Sequence, residues 1–101
     1  MHAVFHVMTV CADVTDFEFH ILAYYMSGTF QPGMMVRFRP AARLLCTCVL
    51  HSIELNDIFS TLEHRPCYDL KIECGSLESV EFLHDLRLKD QDIELVAMPE
   101  G

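Results

Sequence analysis

Residues 27–38, SGTFQPGMMVRF, hold two of the four glycines and one of the four prolines of the chain, between two apolar segments. Proline followed by glycine suits the two central positions of a type II turn, which Pro32 and Gly33 fill. Gly28 can also take a turn conformation that other residues avoid. The stretch therefore predicts a hairpin connection between two strands, with Gly28, Pro32 and Gly33 as its structural turn.

The segments on either side of this turn alternate with a period of two, which is the pattern of strands with one buried face. In the first segment the apolar side chains take the odd positions, which are Phe17, Phe19, Ile21, Ala23 and Tyr25. In the second segment the apolar side chains are Met34, Val36 and Phe38, and they alternate with Met35, Arg37 and Arg39. Both segments are therefore predicted to be strands.

The same reasoning extends to the rest of the chain. Residues 4–10, 44–55 and 67–74 are predicted strands, and the pairs Leu86/Leu88 and Ile93/Leu95 indicate two more. The segments NDIFSTLEH and SLESVEFLH each predict one helical turn, with Asn56 or Asp57 and Ser76 as N-caps. We therefore predict an all-β fold: a single domain over residues 1–101 that forms a small antiparallel β-barrel of six or seven strands, closed or nearly closed.

Three successive motifs, SGTFQPGMMVRF, TCVLHSIEL and LEHRPCYDLKIEC, resemble the second, β-barrel domain of the translation GTPases such as elongation factor Tu. The positions that carry the resemblance are Gly28, Phe30, Gly33, Val36, Thr47, Val49, Ile53, Glu54, Leu70 and Ile72. The likeness spans residues 17–96 and implies a translation-factor domain 2-like barrel that stands alone. The sequence has no phosphate-binding G-x-x-x-x-G-K-[ST] motif, so nucleotide hydrolysis is not predicted.

Charge and composition narrow the classes of partner. The formal net charge of -8 repels phosphate backbones, so nucleic-acid binding is not expected. No apolar run reaches the length of about 20 residues that a membrane span needs, and the first ten residues do not resemble a signal peptide. Five cysteines without framework spacing suit a reducing compartment. We predict a cytoplasmic protein with free thiols and no membrane association.

Cysteine and histidine are the residues with the most reactive chemistry in this chain. Weak candidates for a metal or thiol site are Cys46, Cys48, His51, His64, Cys67 and Cys74. Cys46 and Cys48 share a strand face, and a tetrahedral zinc site would need further ligands from elsewhere in the fold. The simpler interpretation is that these cysteines act as small apolar side chains. We therefore predict no cofactor, and a metal- or thiol-dependent enzyme or sensor is the alternative function.

Six histidines is a high count for 101 residues. His2, His6 and His20 fall on predicted strands beside apolar neighbours. One interpretation is that they titrate together near pH 6 and switch an interface. The other is that they are half-exposed strand positions with hydrogen bonds of their own.

Strand parity also predicts an outward apolar patch. Leu22, Tyr24 and Met26 lie opposite the face of Phe19 and Ile21, and Met35 follows the turn. Aromatic and methionine side chains are typical of the centre of a protein interface. We therefore predict a non-enzymatic interaction module that docks a protein partner or associates with a second copy through Leu22, Tyr24, Met26 and Met35.

Overall fold

The computed structural model describes residues 2–38 and 47–97, with Thr47 described by its backbone only. Seven strands and two short helices follow one another along the chain. They are β1 (His2–Asp13), β2 (Glu18–Gly28), β3 (Met35–Phe38), β4 (Thr47–Val49), β5 (Ser52–Leu55), α1 (Asp57–Glu63), β6 (Cys67–Glu73), α2 (Leu77–Asp85) and β7 (Asp92–Val96).

All seven strands form one antiparallel sheet in the order β4-β3-β7-β1-β2-β6-β5, curled into a half-barrel. The two edge strands, β4 and β5, are consecutive in the chain, so the segment Leu50–His51 crosses from one edge of the sheet to the other. The Leu50 N–H donates a hydrogen bond to the carbonyl of Met34, next to β3. The His51 N–H donates to the carbonyl of Lys71 in β6, near the opposite end of the strand order. We call this crossing the seam. The seven-stranded antiparallel sheet confirms the predicted small all-β, barrel-like fold.

The predicted hairpin between the strands on either side of Gly28 and Gly33 is wrong. β2 pairs with β1 and β6, whereas β3 pairs with β7 and β4. Both edges of β2 are therefore already occupied by β1 and β6, which are both longer than β3. Residues 29–34 connect β2 to β3, which lies three positions away in the strand order. The turn itself is present, because Pro32 and Gly33 lie in a turn and Gly33 has φ +88°.

Three other expectations differ from the structure. Residues 44–55 were predicted to form one strand, but their described part forms two, β4 and β5, because the chain crosses the seam between them. Leu88 follows α2 in an irregular segment and is fully buried there, rather than alternating with Arg87 in a strand. Phe17 belongs to the turn between β1 and β2, with φ +54°, and is 38% exposed instead of part of the core.

The core lies on the concave face of the half-barrel. Residues that are directly opposite in a ladder share a face, so Phe19 with Ile72 and Ile21 with Leu70 point to this inner side. Leu83 of α2 joins this core cluster, and α2 contacts β1 and β2. Near one end, Phe5, Tyr25, Phe30 and Tyr68 pack with ring centroids 5.1–5.8 Å apart.

Both helices begin at the predicted caps. The Asn56 side chain accepts a hydrogen bond from the Phe59 N–H at 3.0 Å, and Ser76 Oγ accepts one from the Ser79 N–H at 3.2 Å. Each satisfies an amide of the first helical turn that has no partner within the helix. The α1 helix ends at His64, whose φ of +56° is left-handed, and Pro66 follows closely.

Candidate functional site

The α1 helix packs onto the sheet through its polar side. Only Ser60 is half-buried within it, together with the cap residue Asn56 one turn earlier. The Ser60 hydroxyl accepts a hydrogen bond from the Cys67 N–H at 2.8 Å and donates to the Cys67 carbonyl at 3.2 Å. The Asn56 side-chain amide donates to Asp69 Oδ2 at 3.0 Å. Hydrogen bonds therefore attach the helix to β6.

The apolar side of α1 faces solvent. Ile58 is 72% exposed and Leu62, one turn later on the same side, is 66% exposed. Phe59 of the same helix is 38% exposed. Helices of globular domains normally turn such residues toward the core. We call Ile58, Phe59 and Leu62 the α1 surface.

The charged residues of this region are mostly acidic. Asp57 precedes Ile58 in the chain and Glu63 follows Leu62. The positive charge of Arg65 is directed elsewhere, because its guanidinium carbon lies 3.9 Å from the centroid of the Tyr24 ring. The apolar residues of the α1 surface therefore have acidic neighbours in the chain.

The predicted interface residues lie on the outer, convex face but do not form one open patch. Leu22 is only 8% exposed and lies opposite Thr9 and Asp69 in the two ladders. Arg65 stacks on Tyr24, as described above. Met26 is exposed near the end of β2, and Met35 is on β3, which β7 and β1 separate from β2. Whether any of them contacts a partner stays a prediction.

Two of the predicted cysteines line the same cavity. Cys48 and Cys74 both line a cavity of about 520 Å³ that lies between α2 and the strands β4 and β6, with Ile72, Phe82 and Leu83 among its other walls. His51 is close by, with Nε2 3.3 Å from Glu73 Oε1. Burial raises the pKa of the Cys74 thiol. Cys46 lies outside the described residues.

Cys67 and His64, two of the candidates for a metal or thiol site, lie in different surroundings. Cys67 is fully buried on the outer face beneath α1, and its Sγ lies 3.7 Å from the sulfur of Met8. Burial raises the pKa of the Cys67 thiol, and the negative charge of Glu63 raises it further. His64 is the exposed C-cap of α1. A thiol held neutral in this way is a poor nucleophile, which weighs against the thiol-dependent alternative at Cys67.

Several histidines of the outer face are paired with carboxylates. The pairs are His2 with Glu94 at 3.4 Å, His6 with Asp92 at 2.8 Å and His20 with Glu18 at 3.5 Å. In the described part of the chain, one group of three potential metal ligands lies close together, and it consists of Asp13, Glu18 and His20. None of the three was a predicted site residue, because the register that joins them depends on the β1–β2 ladder.

Comparisons with protein families, with curated proteins and with solved structures find no match for this chain. The resemblance to the second domain of the translation GTPases therefore stays a prediction. Within residues 2–38 and 47–97, no helix is long and apolar enough to cross a membrane.

Proposed function

We propose that this protein is a non-enzymatic interaction domain whose α1 surface binds another protein. The observation that carries the proposal is the orientation of α1, which makes hydrogen bonds to the sheet through Ser60 and turns Ile58 and Leu62 to solvent. Burial of one such side chain is worth about 1.5–3 kcal/mol, which this fold leaves available for a partner. In this proposal the domain is a translation-factor domain 2-like barrel.

The acidic residues near the α1 surface favour a different protein as its partner over a second copy of this chain. Asp57 and Glu63 are next to Ile58 and Leu62 in the chain, and a self-complementary dimer through these apolar residues would bring the carboxylates of two copies close together. A partner with an apolar groove edged by lysine or arginine complements both features. The cytoplasm is the proposed location of this interaction, and the five cysteines without framework spacing support it.

Site-specific photo-crosslinking tests the proposal in the native host. A photoreactive phenylalanine derivative replaces Leu62, and in the control it replaces Glu81, an exposed residue of α2. We expect one discrete protein to be crosslinked from position 62 and not from position 81. The identified protein is then purified and titrated with the wild-type domain.

The titration decides between specific binding and adhesion to an apolar surface. Leu62→Lys should weaken the Kd about tenfold or more. The matched control is Leu77→Lys, at an exposed leucine of α2 that is 43% accessible, and it should leave the Kd unchanged. Equal effects of the two substitutions, or a product that is a crosslinked dimer of this chain, would contradict the proposal.

A further inference from the structure

The end of the β1–β2 hairpin gathers four metal-binding side chains on one face. In the ladder, Asp13 is directly opposite Glu18 and Cys11 is directly opposite His20. Residues two apart on a strand share a face, so all four project from the outer side of the sheet. Together they offer two carboxylates, an imidazole and a thiol, which are the ligand types that zinc takes in proteins.

Three of these side chains already have nearly the spacing of a metal site. The ligand atoms of Asp13, Glu18 and His20 all lie within 4.8 Å of one another. His20 Nε2 is 3.5 Å from Glu18 Oε1. Two ligands held about 2.1 Å from Zn²⁺ at a tetrahedral angle are about 3.4 Å apart. Zinc therefore fits between His20 Nε2 and Glu18 Oε1, and the Asp13 carboxylate, within 4.8 Å of both, would move closer to complete the group.

Hydrogen bonds from outside the group hold each carboxylate through one oxygen. Lys71 Nζ lies 3.3 Å from Glu18 Oε2, which leaves Oε1 on the side of His20. The backbone N–H groups of Thr15 and Asp16 donate to Asp13 Oδ1 at 2.9 and 3.0 Å, which leaves Oδ2 for a metal. Such outer contacts orient metal ligands and reduce the cost of ordering them.

The charges of the site also favour a divalent cation. The carboxylates of Asp13 and Glu18 and a Cys11 thiolate would carry three negative charges, and Glu73, directly opposite Glu18 in the β2–β6 ladder, adds a fourth on the same face. Zn²⁺ and the Lys71 ammonium offset three of them. Lys71 contacts the Glu18 oxygen that is turned away from His20, so it does not have to leave when the metal binds.

We propose that the β1–β2 hairpin binds one Zn²⁺ through Asp13, Glu18 and His20, with the thiolate of Cys11 as the fourth ligand. Cys11 lies outside the group of ligand atoms that are within 4.8 Å of one another. It is exposed and directly across the ladder from His20, so the proposal requires its side chain to turn toward the metal when the metal binds. Binding would release the thiol proton to solvent and tie the ends of β1 and β2 together. This site is independent of the α1 surface and of its proposed partner.

Co²⁺ and Zn²⁺ titrations of the purified domain test the site. Co²⁺ should bind with a stoichiometry of one and give the visible bands of a tetrahedral complex, together with a near-ultraviolet charge-transfer band from a thiolate. Zn²⁺ should displace it. Cys11→Ser should abolish the charge-transfer band, and His20→Gln should weaken Zn²⁺ binding about tenfold or more.

The matched control is His51→Gln, because His51 also lies beside a carboxylate, Glu73, outside this group. Its Zn²⁺ affinity should equal that of the wild type. Circular dichroism in the presence of a chelator should show that His20→Gln and Cys11→Ser are folded, since both positions lie at the surface. Equal losses in His20→Gln and His51→Gln, or a Co²⁺ complex without the charge-transfer band, would overturn the four-ligand site.

Discussion

Gly28 of β2 lies directly against the carbonyl group of His2 at the start of β1. A Cβ added to Gly28 would overlap the His2 carbonyl oxygen and lie 2.7 Å from the Cα of Ala3. The same carbonyl accepts a hydrogen bond from the Thr29 N–H at 2.9 Å, just after Gly28 leaves the ladder with φ +92°. The close approach of β1 and β2 at this end of the sheet therefore depends on the absence of a side chain.

Gly28→Ala should destabilise the domain by about 3 kcal/mol or more, because it combines an unfavourable φ with overlap against backbone atoms that cannot turn aside. Gly33→Ala is the matched control. Gly33 has a similar φ of +88°, but an added Cβ there would meet nothing within 4 Å, so we expect a loss of about 1 kcal/mol. Urea denaturation of both variants measures the difference, and equal losses would mean that the contact with His2 contributes nothing.

Local patterns in the sequence predict the strands and caps but not which strands pair. Alternation in residues 67–73 identifies β6, and Ser76 starts α2, because both depend on neighbours in the chain. Pairing depends on competition between distant strands. Pro32 and Gly33 suit the central positions of a type II turn, which favours a hairpin. The long ladders of β2 with β1 and β6 nevertheless leave no free edge of β2 for β3.

The candidate site was predictable only in part. The cap at Asn56 and the helix after it follow from the sequence, but the side of α1 that meets the sheet does not. That side is set by the hydrogen bonds between Ser60 and Cys67, two residues whose contact exists only in the fold. The proposed zinc ligands could not be predicted from the sequence for the same reason. Asp13 and Glu18 come together only because the register of the β1–β2 hairpin places them opposite each other.

Substitutions on the α1 surface should leave stability unchanged. The helix buries no residue, so Ile58→Glu and Leu62→Lys should each alter the free energy of unfolding by less than about 0.5 kcal/mol. Leu83→Ala on α2 is the contrasting variant, because Leu83 is 2% exposed and belongs to the core, and it should cost about 2–5 kcal/mol. Thermal denaturation would contradict this assignment if Leu62→Lys were as damaging as Leu83→Ala.

The stability that the Asp13 charge contributes should disappear in acid. The pKa of Asp13 is lower in the folded chain than in the unfolded chain, where it is about 3.9. The contribution is therefore complete above the unfolded pKa and is lost as the pH falls through the folded value. Asp13→Asn keeps an oxygen acceptor but removes the charge, so it should be less stable than the wild type at pH 7, and the difference should shrink as the pH falls below 3.8. Val14→Ala, in the same turn, should differ from the wild type by an amount that does not change with pH.

Thiol labelling should separate Cys67 from Cys11. Cys11 is exposed, whereas Cys67 is fully buried and its pKa is raised, so at pH 8 Cys67 has both less access to reagent and a smaller thiolate fraction. We expect Cys11 to be modified at once and Cys67 only as fast as α1 detaches from β6, as measured by mass spectrometry of labelled peptides. Ser60→Ala removes both side-chain hydrogen bonds to Cys67, so it should speed labelling of Cys67 and leave that of Cys11 unchanged. If Cys67 in the wild type reacted as fast as Cys11, α1 would not cover it in solution, and the outward orientation of Ile58 and Leu62 would lose its structural basis.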